Sequence, residues 1–238
     1  MYGFEGRIRY SECDDTGRLS IFSLVNYFQD CSTFQSEELG HGFATLGPRG
    51  IAWILANWRI DITELPPLGA HVRVRTWCYE MTRSHALRCF ALEDEAGRTF
   101  AVADSQWFVF DRSTGHVGHV PDDQRIYLSD EPRADMAPLD RRLRVSGEAE
   151  RCAKRVVRRH HLDTNNHTNN AQYIQFAVEA LRDLGHADAI SGIGVQYKKM
   201  ALLGDIVVPL VHRCEEGYDV CLTDGDKTTY AIVRLRTR

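Results

Sequence analysis

Apolar side chains recur at Ile21, Leu24, Val25, Phe28 and Leu39 with the spacing of one helical face. Ser20 stands where an N-cap belongs and Gly40 where a C-cap belongs. A second helical face is written by Ile174, Ala177, Val178, Leu181 and Leu184, closed by Gly185. Both apolar faces are broad, which predicts helices lying on a sheet rather than standing in solvent. The segments after each helix read as strands. Val72–Trp77 and Ser84–Leu92 alternate or are rich in β-formers, and Phe100–Phe110 reads as a strand buried on both faces. In the second half, Ile206–Cys214, Tyr218–Leu222 and Thr228–Leu235 repeat the theme, with Asp224-Gly225 as the hairpin turn.

The two halves share an order of local signals. Asn26-Tyr27-Phe28-Gln29 precedes Leu39-Gly40-His41, and Gln172-Tyr173-Ile174-Gln175 precedes Leu184-Gly185-His186. A polar turn opening with Asp-Thr comes before each helix, Asp15-Thr16-Gly17 and Asp163-Thr164-Asn165. A Leu-Gly turn comes later, in Pro67-Leu68-Gly69 and Leu202-Leu203-Gly204. The expected architecture is α+β: a first unit at 1–118, a connector at 119–147 and a second unit at 148–238, each unit a long helix with about five antiparallel strands. The connector carries Pro121, Pro132 and Pro138 with many charges, and is expected to wrap on the surface.

Composition narrows the function classes. The 238 residues are 43% hydrophobic and 26% charged, ordinary globular values. A net charge of −4 argues against a dedicated nucleic-acid binder. Ile51–Ala56, the longest apolar stretch, is far too short for a bilayer, and the first seven residues show no secretory leader. The seven cysteines are scattered without a C-x-x-C pair, which points to reduced thiols and a cytoplasmic protein.

The chemistry concentrates just before the second helix, in Leu162-Asp163-Thr164-Asn165-Asn166-His167-Thr168-Asn169-Asn170. Four asparagines in six residues resist regular structure and mark a bent loop, a cap or a site. The bland reading is that Asp163 and Asn165 tie down a bend and His167 merely hydrogen-bonds. The functional reading is that carboxylate, amide and imidazole converge at a helix start, whose backbone N–H groups hold negative charge. A metal held by His160, His161, Asp163 and His167 is not expected, because adjacent histidines on a strand face opposite ways.

Asp163-Thr164-Asn165-Asn166-His167-Thr168-Asn169-Asn170-Ala171-Gln172-Tyr173-Ile174 resembles the D-x-N-x-H-x-N-N-x-x-Y-[IV] segment of the acyl-acyl-carrier-protein thioesterases. Arg9–Asp14, Trp53 with Trp58, and Thr76-Trp77 are similar to that family's first half, so the likeness spans nearly the whole chain. It implies two tandem hot-dog units, each a long helix wrapped by a curved antiparallel sheet, with the acyl chain in the N-terminal unit and catalysis in the C-terminal one. Some of Phe22, Phe28, Phe34, Trp53 and Trp58 would then line the acyl tunnel. It further implies that Asp163, Asn165 and His167 are catalytic, that the substrate is a fatty acyl thioester of an acyl carrier protein, and that no cofactor is needed. In the first half, Asp15-Thr16-Gly17-Arg18-Leu19 lacks the Asn and His, so that loop is expected to be inert.

Thioester hydrolysis explains the residue types. His167 would act as general base towards water, and Asn165 would orient the water or polarise the carbonyl. Asp163 would fix the imidazole tautomer or attack the carbonyl itself. The backbone N–H groups of Asn169 and Asn170 are candidates for the oxyanion site. Arg155, Arg158, Arg159, Lys198 and Lys199 form a local positive run suited to an acidic carrier or a pantetheine phosphate. One departure stands out: Gln196-Tyr197-Lys198-Lys199-Met200-Ala201 puts Met200 where the family usually has glutamate, and Ala201 where some members have cysteine. An acyl-CoA thioesterase of the same fold, or a catalytically weak acyl-thioester binder, therefore remain as alternatives. Either a monomer or a homodimer is compatible with the sequence.

Overall fold

The computed structural model describes residues 1–186 and 189–238. The chain divides into two compact units, Met1–Leu139 and Asp140–Arg238.

In the first unit, helix α1 (Ile21–Glu38) begins where the Ser20 hydroxyl accepts the Ser23 N–H at 3.1 Å. It ends in a Schellman turn: Gly40 takes a φ of 73°, its N–H reaches Glu37 O at 3.0 Å, and the His41 N–H reaches Ser36 O at 2.8 Å. A one-turn helix α2 (Phe43–Leu46) follows. Strands β1 (Tyr2–Arg7), β2 (Ile51–Ile62), β3 (His71–Met81), β4 (Ala86–Glu93) and β5 (Thr99–Asp111) form an antiparallel sheet in the order β1-β3-β4-β5-β2, and the short β6 (His116–Val117) pairs with β5. Strand β1 escapes the hydrophobic pattern because two of its six residues are glycine and only Tyr2 and Phe4 offer large apolar side chains.

Leu24, Val25, Phe28, Cys31 and Gln35 form the buried face of α1. Phe28, Trp58 and Phe90 are all fully buried and pack with ring centroids 5.0–6.0 Å apart. Burying each such side chain is worth roughly 1.5–3 kcal/mol, before any aromatic geometry is counted. Every residue of β4 is buried, so the sheet is covered on both faces. The second cover comes from the segment expected to be a surface connector. Its 3₁₀ turn (Asp122–Tyr127) still lies on the α1 side, where the Tyr127 hydroxyl donates to Ser36 at 3.0 Å. Beyond it, Ala134 packs on Trp77, Cys89 and Ala91 of the other face, and Pro132 O accepts the Trp77 indole N–H at 2.8 Å. Arg133 pairs with buried Asp104 at 2.8 Å, and Tyr79 donates to the same carboxylate. Residues 119–139 thus belong to the first unit.

The second unit repeats the plan in shorter form. Helix α3 (Asn170–Asp183) is 14 residues long against 18 for α1, one turn less. Its Asn169 cap accepts the Ala171 N–H at 2.8 Å, and Gly185, with φ 80°, closes it in the same Schellman manner. Strands β7 (Glu150–Arg151), β8 (Arg155–Val156), β9 (Ile190–Tyr197), β10 (Ile206–Cys214), β11 (Gly217–Thr223) and β12 (Thr229–Thr237) give the antiparallel order β9-β12-β11-β10-β7, with β8 also on β10. The turn joining β11 to β12 is longer than the two-residue hairpin expected at Asp224-Gly225: the Asp224 carboxylate accepts the N–H groups of Asp226 and Thr228. One long helix with one antiparallel sheet, occurring twice, is the double hot-dog arrangement that the sequence leads one to expect.

Candidate active site

The polar segment before α3 is a closed loop built on one carboxylate. Asp163 Oδ1 accepts the backbone N–H of Asn165 at 2.8 Å and that of His167 at 3.1 Å. The Asp163 N–H returns to His167 O at 2.8 Å, and the Asn166 N–H to Asp163 O at 3.1 Å. Asn166 takes the left-handed conformation, φ 60°, which an asparagine tolerates better than most side chains. Asp163 therefore spends one oxygen on positioning the peptide of His167, and no hydrogen bond joins its carboxylate to the imidazole. The ring of His167 is half-buried and the Asn165 side chain is exposed.

Beneath the loop lies a buried support. Thr168 is buried, and its N–H and hydroxyl both donate to Ala201 O, at 3.0 and 2.8 Å. The Ala201 N–H donates in turn to the Tyr173 phenol oxygen at 2.8 Å. Burial pushes the Tyr173 phenol up from its ordinary range, so it stays neutral as an acceptor. Tyr197 donates to Asn170 O at 3.0 Å and packs edge-on against Tyr173. The segment Gln196–Ala201 is thereby tied to the first turn of α3. Thr168 was not among the residues singled out by the sequence, although its place between His167 and Asn169 is a signal.

The expected oxyanion donors separate. The Asn169 N–H is already given to His161 O at 2.8 Å, so it is spent on the loop. Asn170 is the first residue of the helix, at its positive end. His160 and His161 do not lie on a strand: they close a 3₁₀ turn (Arg159–His161) with rings 4.1 Å apart. His161 Nδ1 accepts the Arg158 N–H at 3.0 Å, and the ring packs edge-on against Phe176 at 5.0 Å. Burial first, then the neighbouring His160, lowers the His161 pKa below its ordinary value. Among the described residues no group of three or more potential metal ligands forms.

The positive run also divides. Arg155 is half-buried and bound to two carboxylates of α3, Glu179 at 3.1 Å and Asp183 at 2.7 Å, so its charge is neutralised within the unit. Arg158, Arg159, Lys198 and Lys199 remain exposed. Met200 is 43% exposed and Ala201 fully buried.

The loop before α1 has the same hydrogen-bond scaffold, in a register one residue away from that suggested by the Asp-Thr pairs. Asp14, not Asp15, matches Asp163: its Oδ1 accepts the N–H of Thr16 at 2.9 Å and of Arg18 at 3.3 Å, and its own N–H returns to Arg18 O at 2.8 Å. Thr16 thus stands at the place of Asn165, Gly17 at that of Asn166 and Arg18 at that of His167. The inertness expected of this loop rests on the same missing residues after the shift. The helix match moves as well. Tyr27 bonds Glu12 where Phe176 packs on His161, so Tyr27 corresponds to Phe176 and not to Tyr173; the closing Leu-Gly-His segments match only after the one-turn difference in helix length.

Comparison with known proteins supplies the family. Residues 2–127 match the acyl-ACP thioesterase N-terminal domain, and residues 146–234 match the acyl-ACP thioesterase C-terminal domain. Oleoyl-acyl carrier protein thioesterase 1 of Arabidopsis thaliana is 25% identical over 227 residues, covering 88% of this chain and 63% of its own. A palmitoyl-acyl carrier protein thioesterase of Gossypium hirsutum is 22% identical over 242 residues, covering 96% of this chain and 59% of its own. The chain thus spans about three-fifths of the length of these curated relatives. Among solved structures, an acyl-ACP thioesterase from Bacteroides thetaiotaomicron superposes with a TM-score of 0.88 at 22% identity, covering 99% of this chain and 97% of that one. The 12:0-ACP thioesterase from Umbellularia californica gives 0.83 at 19% identity, covering 99% and 97%.

Proposed function

Because the chain belongs to the acyl-ACP thioesterase family, we propose that it hydrolyses fatty acyl thioesters of an acyl carrier protein to a free fatty acid and the carrier thiol. The observation that carries this reading is the Asp163 loop, a rigid bend that presents His167 and Asn165 beside the start of α3.

His167 removes a proton from water as the water attacks the thioester carbonyl, and returns it to the leaving thiolate. The Asn165 carboxamide orients that water or polarises the carbonyl. The positive end of α3, which begins at Asn170, stabilises the developing oxyanion. Asp163 is a positioning residue: with Oδ1 accepting two N–H bonds, its charge is drawn towards the loop, which makes it a poor nucleophile and a good anchor. Arg158, Arg159, Lys198 and Lys199 face the carrier, and Arg155 holds α3 instead. We assign acyl-chain binding to the first unit, whose helix–sheet layer carries the Phe28–Trp58–Phe90 cluster.

The test is the release of free fatty acid and carrier thiol from palmitoyl-loaded acyl carrier protein, run beside palmitoyl-CoA. Release from the carrier substrate at a higher kcat/KM supports the reading. Preference for the CoA substrate favours the acyl-CoA alternative, and binding without release favours a weak acyl-thioester binder. Met200, exposed at the family's glutamate position, motivates that last alternative. Met200→Glu is expected to alter turnover by less than about threefold, and a gain of about tenfold or more would mean that the natural chain works below its fold's capacity.

A further inference from the structure

Four large apolar side chains of the second unit stand in solvent within seven residues: Met200 (43% exposed), Leu202 (49%), Leu203 (49%) and Ile206 (40%). Isolated exposed hydrophobics are ordinary, but a contiguous group marks an interaction surface. The segment that bears them is not loose. Between Met200 and Leu202, Ala201 is fully buried and bonded to Thr168 and Tyr173. The Leu202 N–H donates to Asp205 Oδ2 at 2.9 Å and the Asp205 N–H to Leu202 O at 3.0 Å. The Gly204 N–H donates to Val157 O at 3.0 Å, and the Val157 N–H to Asp205 O at 2.9 Å. The fold thus holds a stiff turn that presents leucines to water, a cost that a covering partner would offset.

Its neighbours state the partner's chemistry. Lys198 and Lys199 lead directly into the turn, and Arg158 and Arg159 follow Val157, to which the turn is bonded on its other side. All four are exposed. The turn is also bonded to Thr168, the residue after His167. An apolar centre rimmed by cations beside the proposed reacting group fits an acidic protein surface with apolar side chains at its middle. The matching turn of the first unit differs. There Leu68 is exposed, but the residue in the place of Lys199 is Glu64, paired with Arg18 at 3.0 Å and Arg98 at 3.3 Å.

We propose that the turn Met200–Ile206 is the docking face for the carrier protein, and that its leucines, with the basic rim, make the chain prefer carrier thioesters over small thioesters. This rests on the thioesterase reading and adds the residues that recognise the partner. Met200 takes part as a contact, which accounts for an apolar side chain at a position where the family usually has glutamate.

The experiment compares Leu202→Ser/Leu203→Ser and Leu203→Glu with the unaltered chain on palmitoyl-loaded acyl carrier protein and on palmitoyl-pantetheine. Both positions are solvent-exposed, so the variants should fold, which a thermal melt checks. KM for the carrier substrate is expected to rise about tenfold or more, while kcat/KM on palmitoyl-pantetheine stays within about twofold. Leu68→Glu, at the matching turn, should leave both substrates unaffected. Unchanged KM for the carrier substrate, or equal losses on both substrates, would overturn the proposal. So would a homodimer of the unaltered chain that Leu203→Glu dissociates, since the face would then belong to a second copy. If the unaltered chain hydrolyses neither substrate, it is the thioesterase reading that fails. Titration with fluorescently labelled holo-carrier then reads docking alone: weaker binding by Leu203→Glu supports the face, and equal binding overturns it.

Discussion

The loop before α1 and the loop before α3 are held by one scheme of hydrogen bonds and differ in nearly every side chain that points away from it. Each has an aspartate accepting two N–H groups of the following bend, a left-handed residue (Gly17 at 75°, Asn166 at 60°) and a side-chain cap on the helix that follows. In the first unit the outward groups are paired off. The Arg18 guanidinium donates to Glu64 and to Leu65 O, and Glu12 accepts from Tyr27. In the second, His167 replaces Arg18, Lys199 stands at the place of Glu64, and His161 with Phe176 replaces Glu12 with Tyr27. The scaffold is a structural device common to both units, and the chemistry we propose falls on only one of them. An aspartate at the centre of such a bend is therefore no sign of catalysis, and the discriminating residues are those at the Arg18 and His167 positions.

The comparison is broken most severely at the second aspartate. Asp163→Ala is expected to lower kcat by about 100-fold or more, since His167 loses the anchor of its peptide. Asp163→Asn should keep activity within about tenfold, because a carboxamide oxygen still accepts the same N–H groups. Loss as complete for Asn as for Ala would identify Asp163 as the nucleophile. Arg158→Glu with Arg159→Glu should reduce kcat/KM on the carrier substrate about tenfold at low salt, less at high salt, with no change on acyl-pantetheine. Asp14→Ala is expected to cost about 1–3 kcal/mol of stability, read as a shift of the denaturation midpoint, with turnover per folded molecule unaltered. The smallest effect is expected at His161. Its pKa lies below the ordinary 6.5, so folding favours the neutral ring. Stability is then lost as pH falls below that value, and His161→Gln should flatten the thermal-melt profile there.

Much of this was legible in the residues. Helical spacing located both long helices, and their Leu-Gly-His endings marked both Schellman turns, because glycine is needed where φ turns positive. Strands β10 and β11 were readable for their β-branched and aromatic content. Strand β1 was not, because glycines at positions 3 and 6 erase the alternation. The cover over β4 was also hidden. Residues 119–139 are anchored by a few polar contacts, Gln124 to Trp53 and Arg133 to Asp104, that follow no period. At the candidate site, the motif drew attention to Asp163, Asn165 and His167, but not to the Asp163 carboxylate accepting backbone N–H groups instead of bonding the imidazole. Arg155 looked free until its partners Glu179 and Asp183, distant in sequence, were placed against it. The repeat was detectable while its register was not: Asp15-Thr16 mimics Asp163-Thr164, and only the hydrogen bonds show that Asp14 occupies the equivalent place.

The decisive measurement sets the two loops against each other: single-turnover release of palmitate from loaded carrier protein by His167→Ala and, in parallel, by Arg18→Ala. The expected result is a rate lower by about 100-fold or more for His167→Ala, with Arg18→Ala within about twofold of the unaltered chain once folded fractions are matched. Equal rates for the two variants would contradict the placement of catalysis in the second loop.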